Sequence, residues 1–574
     1  MPTTITCYGG VAEIGGNKIL LEDGERRILF DFGKAFGRYG AYFDGVFIKE
    51  RVGRGLLDPL ALGLIPPLRG LLRDDLVPGL DPEELDVEVL APSGRARVPK
   101  EVASLRPEAV EAFWDHWRQQ SPGLFRDLRR PNAPPVDLIL LSHAHQDHIA
   151  DLEYVGTAIP AASTAMTAFI SKVLLDAGVG TSGAPFVAPR RPKPDGLLEA
   201  ERGAPLDARP WVFLDRAPAG IAGDDPLNDA ASFWAYAGSK ILEPVPASLP
   251  SDLRLRYWPV DHSLFGAAGF AVETEAGWVA YTGDLRFHGQ QGAKTWAFAD
   301  ALGTLRPAVL LCEGTRLDRT DTTTEAMVFE TCLATVRRAD GRLVVADFAP
   351  RNVERLETFV RIAQETGRRL LVQPKDAYLL RAMHLADPSV PDLMTGPHVG
   401  MYADPKVSEQ KWEAVVRQRY QAETTGPLGV RQAPGDFLLA FSLTDAPDML
   451  DLAFWMGGRT GGVYLFSNSP AYDDEQRVDL VRLWNWTRHL GLELVGLEPK
   501  RTADGQVVDL VAQPGYHASG HAGVQDLVEF VRRARPRTLV AIHTEVPQRW
   551  AELLSDTDIQ LVTPELGVPV HPAP

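Results

Sequence analysis

Short apolar runs that end in polar or glycine-rich loops recur along the chain and set its expected elements. Residues 3–33 alternate between apolar strands and the turns Gly9-Gly10 and Gly15-Gly16-Asn17, closing on Ile28-Leu29-Phe30 and Asp31-Phe32-Gly33. The pattern changes over 34–135, where leucine, proline and glycine between 55 and 80 predict short helices and loops. Val110, Phe113, Trp114 and Trp117 recur at helical spacing and predict a helix over 107–120, with Pro107 in its first turn. That aromatic stripe reads first as core packing and second as a lid over a site. Residues 136–141 read as a buried strand that delivers Ser142-His143-Ala144-His145-Gln146-Asp147-His148 to a loop. After helix and irregular chain over 160–250, strands are expected near 253–258, 269–274, 277–282 and 307–312. Three of them end at His262, at Thr282-Gly283-Asp284 and at Glu313-Gly314-Thr315. From about 316, strand and helix alternate (343–346, helix 351–365, 370–372, 437–441, 463–466), which predicts a second α/β unit with a largely parallel sheet. From about 508 the pattern of the first unit returns with His517-Ala518-Ser519-Gly520-His521, a helix over 524–534 and a strand ending at His543.

Composition narrows the classes. A chain of 574 residues has room for several domains and large cores. Its net charge of −17 speaks against a nonspecific polyanion binder, so any nuclease with this balance must neutralise phosphate locally. Cys7, Cys312 and Cys332 lie far apart with no CxxC pair, which argues against a disulfide framework or a cysteine zinc site and fits a reducing cytoplasm. No basic and apolar leader opens the chain, and no apolar run is long enough to span a bilayer. The runs Arg190-Arg191-Pro192-Lys193 and Arg532-Arg533-Ala534-Arg535 read as solvated faces rather than nucleic-acid grooves.

The chemistry gathers in ligand-type residues. His143 and His145 are two apart, so on an extended chain their imidazoles point the same way. Asp147 and His148 are adjacent, and a turn there can face them toward a second ion. Four such side chains within six residues suit a pair of borderline metal ions better than one closed structural zinc. His262, Asp284 and His543 stand at later strand ends, which should converge if those strands share one sheet edge. The histidines His116, His288, His384, His398, His489 and His571 have no comparable setting and read as structural or surface groups.

Asp31, His143-Ala144-His145-Gln146-Asp147-His148, His262 and Thr282-Gly283-Asp284 resemble the metallo-β-lactamase fold. Glu313, His517-Ala518-Ser519-Gly520-His521 and Ile542-His543-Thr544-Glu545 resemble the additional motifs of its β-CASP branch, which includes ribonuclease J. Phe348-Ala349-Pro350-Arg351-Asn352-Val353-Glu354-Arg355 resembles the phosphate-side helix opening of that branch. The resemblance implies an αββα sandwich over 1–315, completed by 509–574 and interrupted by a β-CASP α/β domain over 316–508, with RNA in the cleft between them. It assigns His143, His145 and His262 to one zinc, Asp147, His148 and His543 to another, and Asp284 to both, with Mn2+ as a possible substitute. Asp31 then orients ligands from behind. His521 is the expected general acid, oriented by Glu313, and His517 with Ser519 the expected holders of an RNA 5′ phosphate; loop geometry around Gly520 is the plainer reading of the last two. The implied activity is zinc-dependent hydrolysis of single-stranded RNA by a two-metal hydroxide, leaving 5′-phosphate and 3′-hydroxyl ends. It is 5′→3′ exonucleolytic, with endonucleolytic cleavage also open.

Four other readings compete. A small-molecule hydrolase leaves Glu313, His521 and the 316–508 unit without a task. A flavin-coupled di-iron enzyme normally carries glutamate where His145 stands. A metal-free RNA-binding subunit should lack ligands, and none is missing. A DNA nuclease of this branch carries an apolar residue where His543 stands. The chain also departs from the family: 34–135 is longer than the usual connection, Gly314 replaces serine, Thr544 replaces glycine, and the C-terminal domain that helps ribonuclease J oligomerise is not seen.

Overall fold

The computed structural model describes residues 2–44, 47–78, 107–178, 184–193, 197–201, 203–238, 240–243, 245–320, 323–349, 352–406, 408–471 and 474–572. Much of the 34–135 segment (79–106), and Pro350 and Arg351 of the phosphate-side motif, therefore lie outside the described residues.

Two sheets pack face to face. The first has seven strands in the order Trp211–Phe213, Ala161–Ser163, Leu138–Leu140, Arg26–Phe30, Lys18–Asp23, Thr4–Gly9 and Pro569–Val570. The second has six, in the order Leu255–Pro259, Ala268–Thr274, Gly277–Tyr281, Val309–Cys312, Thr538–Ala541 and Gln560–Val562. Period-two alternation sends Ile19, Leu21, Ile28, Phe30, Leu138 and Leu140 of the first sheet against Phe270, Val272, Val279, Tyr281, Leu311 and Val540 of the second. The outer face of the second sheet is covered by helices Gly292–Leu305 and Val524–Ala534, whose Phe298, Leu302, Leu527 and Phe530 meet Ala271, Ala280, Leu310 and Leu539. The outer face of the first packs Leu20, Leu29 and Ile139 into a cluster with Trp114 and with Phe169 of helix Ala165–Asp176. This is the αββα sandwich that the resemblance implies.

A third sheet, parallel at every pairing, has seven strands in the order Thr424–Thr425, Val399–Tyr402, Arg369–Val372, Phe437–Ala440, Val344–Asp347, Val463–Phe466 and Glu493–Val495. Its central strands are buried on both faces, which is why they read as near-continuous apolar runs. The stretch lies between Val309–Cys312 and Thr538–Ala541, which are parallel neighbours in the second sheet, so the chain leaves that sheet and returns beside its point of exit.

The helix Pro107–Gln120 forms as its spacing predicts, and its stripe is core. Trp114 and Trp117 are buried and Val110 and Phe113 pack against them. Arg191 pairs with Glu199, Arg532 with Asp556 and Arg533 with Glu529, all at the surface, which makes the basic runs solvated faces. No helix among the described residues is long and apolar enough to cross a membrane.

One expectation needs correction. The ligand residues do not share one sheet edge. His143 to His148 follow a strand of the first sheet, while His262, Asp284 and His543 follow strands of the second. They meet because the two layers end at the same rim of the sandwich.

Candidate metal centre

The loop after Leu138–Leu140 is pinned by backbone bonds before any side chain contributes. Asp31 N donates to Leu140 O (3.0 Å), Phe32 N to His148 O (2.9 Å) and Gly16 N to Asp147 O (3.0 Å). Gly33 is packed so closely that a Cβ there would lie 1.8 Å from Asp147 O, so only glycine fits. His145 is extended and caps the single helical turn Gln146–Ile149, which turns Asp147 and His148 away from the direction of His143 and His145. Asp31 (φ 53°) and His543 (φ 50°) both adopt left-handed backbone. That costs about 1–3 kcal/mol each and concentrates at functional sites.

All seven predicted ligand residues come together. They form two groups, His143–His145–His262–Asp284 and Asp147–His148–Asp284–His543, in each of which the ligand atoms lie within 4.8 Å of one another. In the first, His143 Nε2 and His262 Nε2 stand 2.9 and 3.0 Å from His145 Nδ1. In the second, Asp284 Oδ2 is 3.2 Å from His148 Nε2, Asp284 Oδ1 is 2.9 Å from His543 Nδ1, and Asp147 Oδ2 is 3.7 Å from His543 Nε2.

Proton accounting tests whether these atoms suit a cation. His262 Nδ1 donates to Gly520 O (2.7 Å), so in the neutral ring Nε2 carries a lone pair. Ser142 Oγ gives its proton to Asp31 Oδ2 (2.7 Å) and accepts from His143 Nδ1 (3.0 Å), so His143 Nε2 is also a lone pair. Two acceptors thus face one His145 nitrogen, which can satisfy only one of them. In the second group, His148 Nε2, both Asp284 oxygens and both His543 nitrogens are buried without a hydrogen-bond partner. A cation in each group would relieve these defects except at one His543 nitrogen, and five imidazoles with two carboxylates and no thiolate suit a borderline divalent ion such as zinc.

The electrostatics divide the two groups. Burial, with His148 beside it, holds His143 well below the usual imidazole range, and burial does the same to His262, keeping both neutral as ligands must be. Burial alone would lower His148, but Asp284, Asp147 and Asp31 outweigh it and raise it well above that range. Burial alone would raise Asp284, yet His148, His543 and His521 hold it well below the carboxylate range.

Asp31 is the hub behind the ligands. Its Oδ1 accepts from Ser142 N (2.8 Å), and its Oδ2 accepts from Ser142 Oγ (2.7 Å), His148 Nδ1 (2.7 Å) and Tyr281 OH (2.6 Å). Asn17 Nδ2 in turn donates to Tyr281 OH (2.9 Å). Sequence reasoning missed Tyr281 and Asn17. Their positions directly before Thr282-Gly283-Asp284 and after Gly15-Gly16 were the available signal.

Glu313 is buried and held by the amides of Leu285 (2.7 Å) and Thr315 (3.0 Å), and its Oε1 lies 3.5 Å from His521 Nδ1. Burial would lower His521, but Glu313 and Asp284 push it up to about 9. A cavity of about 320 Å³ is lined by Asp147 and His521 and by Asn352, Arg355 and Ser467, with His517 beside Arg355 and Ser467. Burial and the neighbouring Arg355 push His517 down to about 3, so it is a neutral partner there. Of the two residues expected to hold a 5′ phosphate, His517 lines the cavity and Ser519 does not. Its Oγ accepts from His521 N (3.1 Å) and its carbonyl accepts from His288 Nε2 (2.9 Å), which is the loop-geometry reading and explains His288. Phe36, which also lines the cavity, was missed because it begins the segment read only as loops and short helices.

Residues 514–564 match the Zn-dependent metallo-hydrolase RNA specificity domain. Over 118 residues the chain is 35% identical to the ribonuclease J of Mycobacterium tuberculosis. Over these stretches the chain is similar to ribonuclease J. That alignment spans 20% of this chain and 21% of the relative. A longer one, to the ribonuclease J of Corynebacterium glutamicum, is 23% identical over 316 residues and spans 54% of this chain and 38% of the relative. The matched stretches thus cover well under two thirds of these curated relatives. A crystal structure of a protein of unknown function from Enterococcus faecalis shares the fold across 99% of this chain and 100% of its own, with a TM-score of 0.61 and 18% identity.

Proposed function

We propose that the chain is a two-zinc ribonuclease that hydrolyses single-stranded RNA at the rim of the sandwich. The observation that carries this reading is the pair of ligand groups sharing Asp284, with buried nitrogens and oxygens that have no hydrogen-bond partner. The domain division that goes with it places a β-CASP domain over 316–508, inserted into a metallo-β-lactamase domain formed by 1–315 and 509–574. His143, His145 and His262 hold one ion, Asp147, His148 and His543 the other, and Asp284 both; manganese is a possible substitute. When bound, such a pair supplies a hydroxide nucleophile at neutral pH and withdraws charge from the scissile phosphate.

The chain's own residues do the rest. Asp31 fixes the tautomer of His148 by accepting from its Nδ1, and Gly520 O does the same for His262. The 3′ oxygen needs a proton as it departs, leaving a 5′-phosphate and a 3′-hydroxyl. His521 lines the cavity with its Nδ1 turned to Glu313, so Nε2 is the nitrogen that gives this proton. Glu313 and Asp284 hold His521 up at about 9, so at neutral pH it carries the proton it would give. Neutral His517, which lines the same cavity, gives a chain of net charge −17 a local polar contact for phosphate. That arrangement favours a held 5′ phosphate and 5′→3′ digestion.

The test is incubation with end-labelled single-stranded RNA bearing 5′-hydroxyl, monophosphate or triphosphate, with single-stranded DNA alongside. Zinc-dependent loss of RNA, fastest for the monophosphate, with mononucleotide products and intact DNA is expected. An inert zinc-loaded protein, or one cutting DNA equally well, would reject the reading.

A further inference from the structure

A second cluster of buried charge lies beside the metal centre and is not explained by ligand chemistry. Asp261 and Arg286 follow strands of the second sheet, one residue before His262 and two after Asp284. Glu325 opens the helix Glu325–Arg338, and Glu354 and Arg355 stand in the first turn of Val353–Thr366, two helices that pack on the third sheet. All five side chains are at most 4% exposed. Arg286 touches three carboxylates, Asp261 Oδ1 (2.8 Å), Glu325 Oε1 (3.4 Å) and Glu354. Glu325 then takes Arg355 in a two-pronged pair at 2.9 Å on both prongs. Arg355 Nη1 donates to Ser467 Oγ (2.7 Å), which donates to Tyr516 O (2.6 Å), next to His517.

Buried ion clusters gain little stability over apolar packing of the same volume, and their best-attested use is to fix one geometry among several. This one joins the backbone that carries His262 and Asp284 to the residues that form the far wall of the cavity, Arg355 and Ser467. We infer that Arg286 is a positioning residue that sets the gap between the metal centre and the far wall, and so governs cleavage of a polymer strand rather than metal binding. This inference rests on the RNA reading above. A small diester needs only the metal centre, whereas a strand must meet both walls at once. An error of about 1 Å in such placement costs on the order of 10²-fold.

The test uses the full zinc-loaded chain. Arg286→Lys keeps the charge but cannot reach three carboxylates together. Arg286→Met with Glu354→Gln removes one charge of each sign and leaves the cluster's net charge unchanged. Zinc per chain, turnover of bis(p-nitrophenyl) phosphate, and kcat and KM on a single-stranded RNA oligonucleotide are measured for both. Zinc content and small-diester turnover should stay near wild type while kcat/KM on RNA falls roughly 10–100-fold, with Arg286→Lys the milder. Parallel loss on both substrates, unchanged RNA kinetics, or loss of zinc or fold in both variants would overturn the inference. A wild-type chain that turns over the small diester but never RNA would instead reject the RNA reading, and this inference with it.

Discussion

Two clusters of charged side chains sit side by side, both largely hidden from water and opposite in how their buried polar atoms are satisfied. In the Arg286–Glu325–Arg355 cluster every side-chain nitrogen and oxygen has a partner, whereas beside Asp284 five buried atoms have none. An unsatisfied buried polar group costs about 1–3 kcal/mol, more if charged, so the second arrangement is the one that would gain from a cation. Burial does not mark the reactive site. Unpaired burial does.

The sharpest way to break this contrast is to remove the one group that both ligand sets share. Asp284→Ala should release bound zinc and reduce RNA cleavage to background, with folding retained by circular dichroism; a metal-replete, active variant would dissolve the distinction. His521→Ala should slow turnover by about 10²–10⁴-fold without changing zinc content, read by single-turnover kinetics. Its acid form is required, so the rate should fall as pH rises through its pKa, and that alkaline limb should vanish in the variant. In the metal-free chain the same shift, from 6.5 to about 9, adds stability that is complete below pH 6.5 and lost as pH rises through 9.

In the paired cluster the effect should appear in stability. Glu325→Ala leaves Arg355 and Arg286 short of a carboxylate and should cost about 3–5 kcal/mol in denaturant unfolding, with Glu325→Gln plus Arg355→Met costing much less. Chelation is the mirror experiment. It should destabilise the wild type by roughly 3 kcal/mol when free zinc had been about 100-fold above Kd, and leave Asp284→Ala unmoved in a thermal melt. The smallest effect concerns a buried carboxyl with neutral partners. Burial pushes Asp347 up to about 7, against bonds from Tyr464 OH (2.7 Å) and Asn468 (3.1 Å). The folded state therefore holds its proton longer than the unfolded one, stability declines as pH rises from about 4 to 7, and Asp347→Asn should flatten that slope.

How much of this was legible follows from range. The strand ends carrying His143 to His148, His262, Asp284 and His543 were readable because strand periodicity and ligand chemistry are both local in sequence. The layer to which each strand belongs was not, since the packing of Phe30 on Tyr281 between the two sheets joins residues far apart in the chain and leaves no periodic trace. That is why one sheet edge was expected and two were found. The ionic cluster was hidden for the same reason. Glu325 and Glu354 look like ordinary acidic residues in helix first turns, which is favourable placement by itself. Only the fold reveals Arg286 between them. Ser519 shows the reverse case, a hydroxyl expected to hold a 5′ phosphate that here accepts from the backbone of His521.

The most direct measurement is zinc stoichiometry in the purified, reconstituted chain, by elemental analysis after exhaustive dialysis, with Asp284→Ala in parallel. Two ions per wild-type chain and fewer than one in the variant are expected. A wild-type chain that retains no zinc, or a variant that retains both ions, would contradict the claim that these orphaned atoms are a metal site.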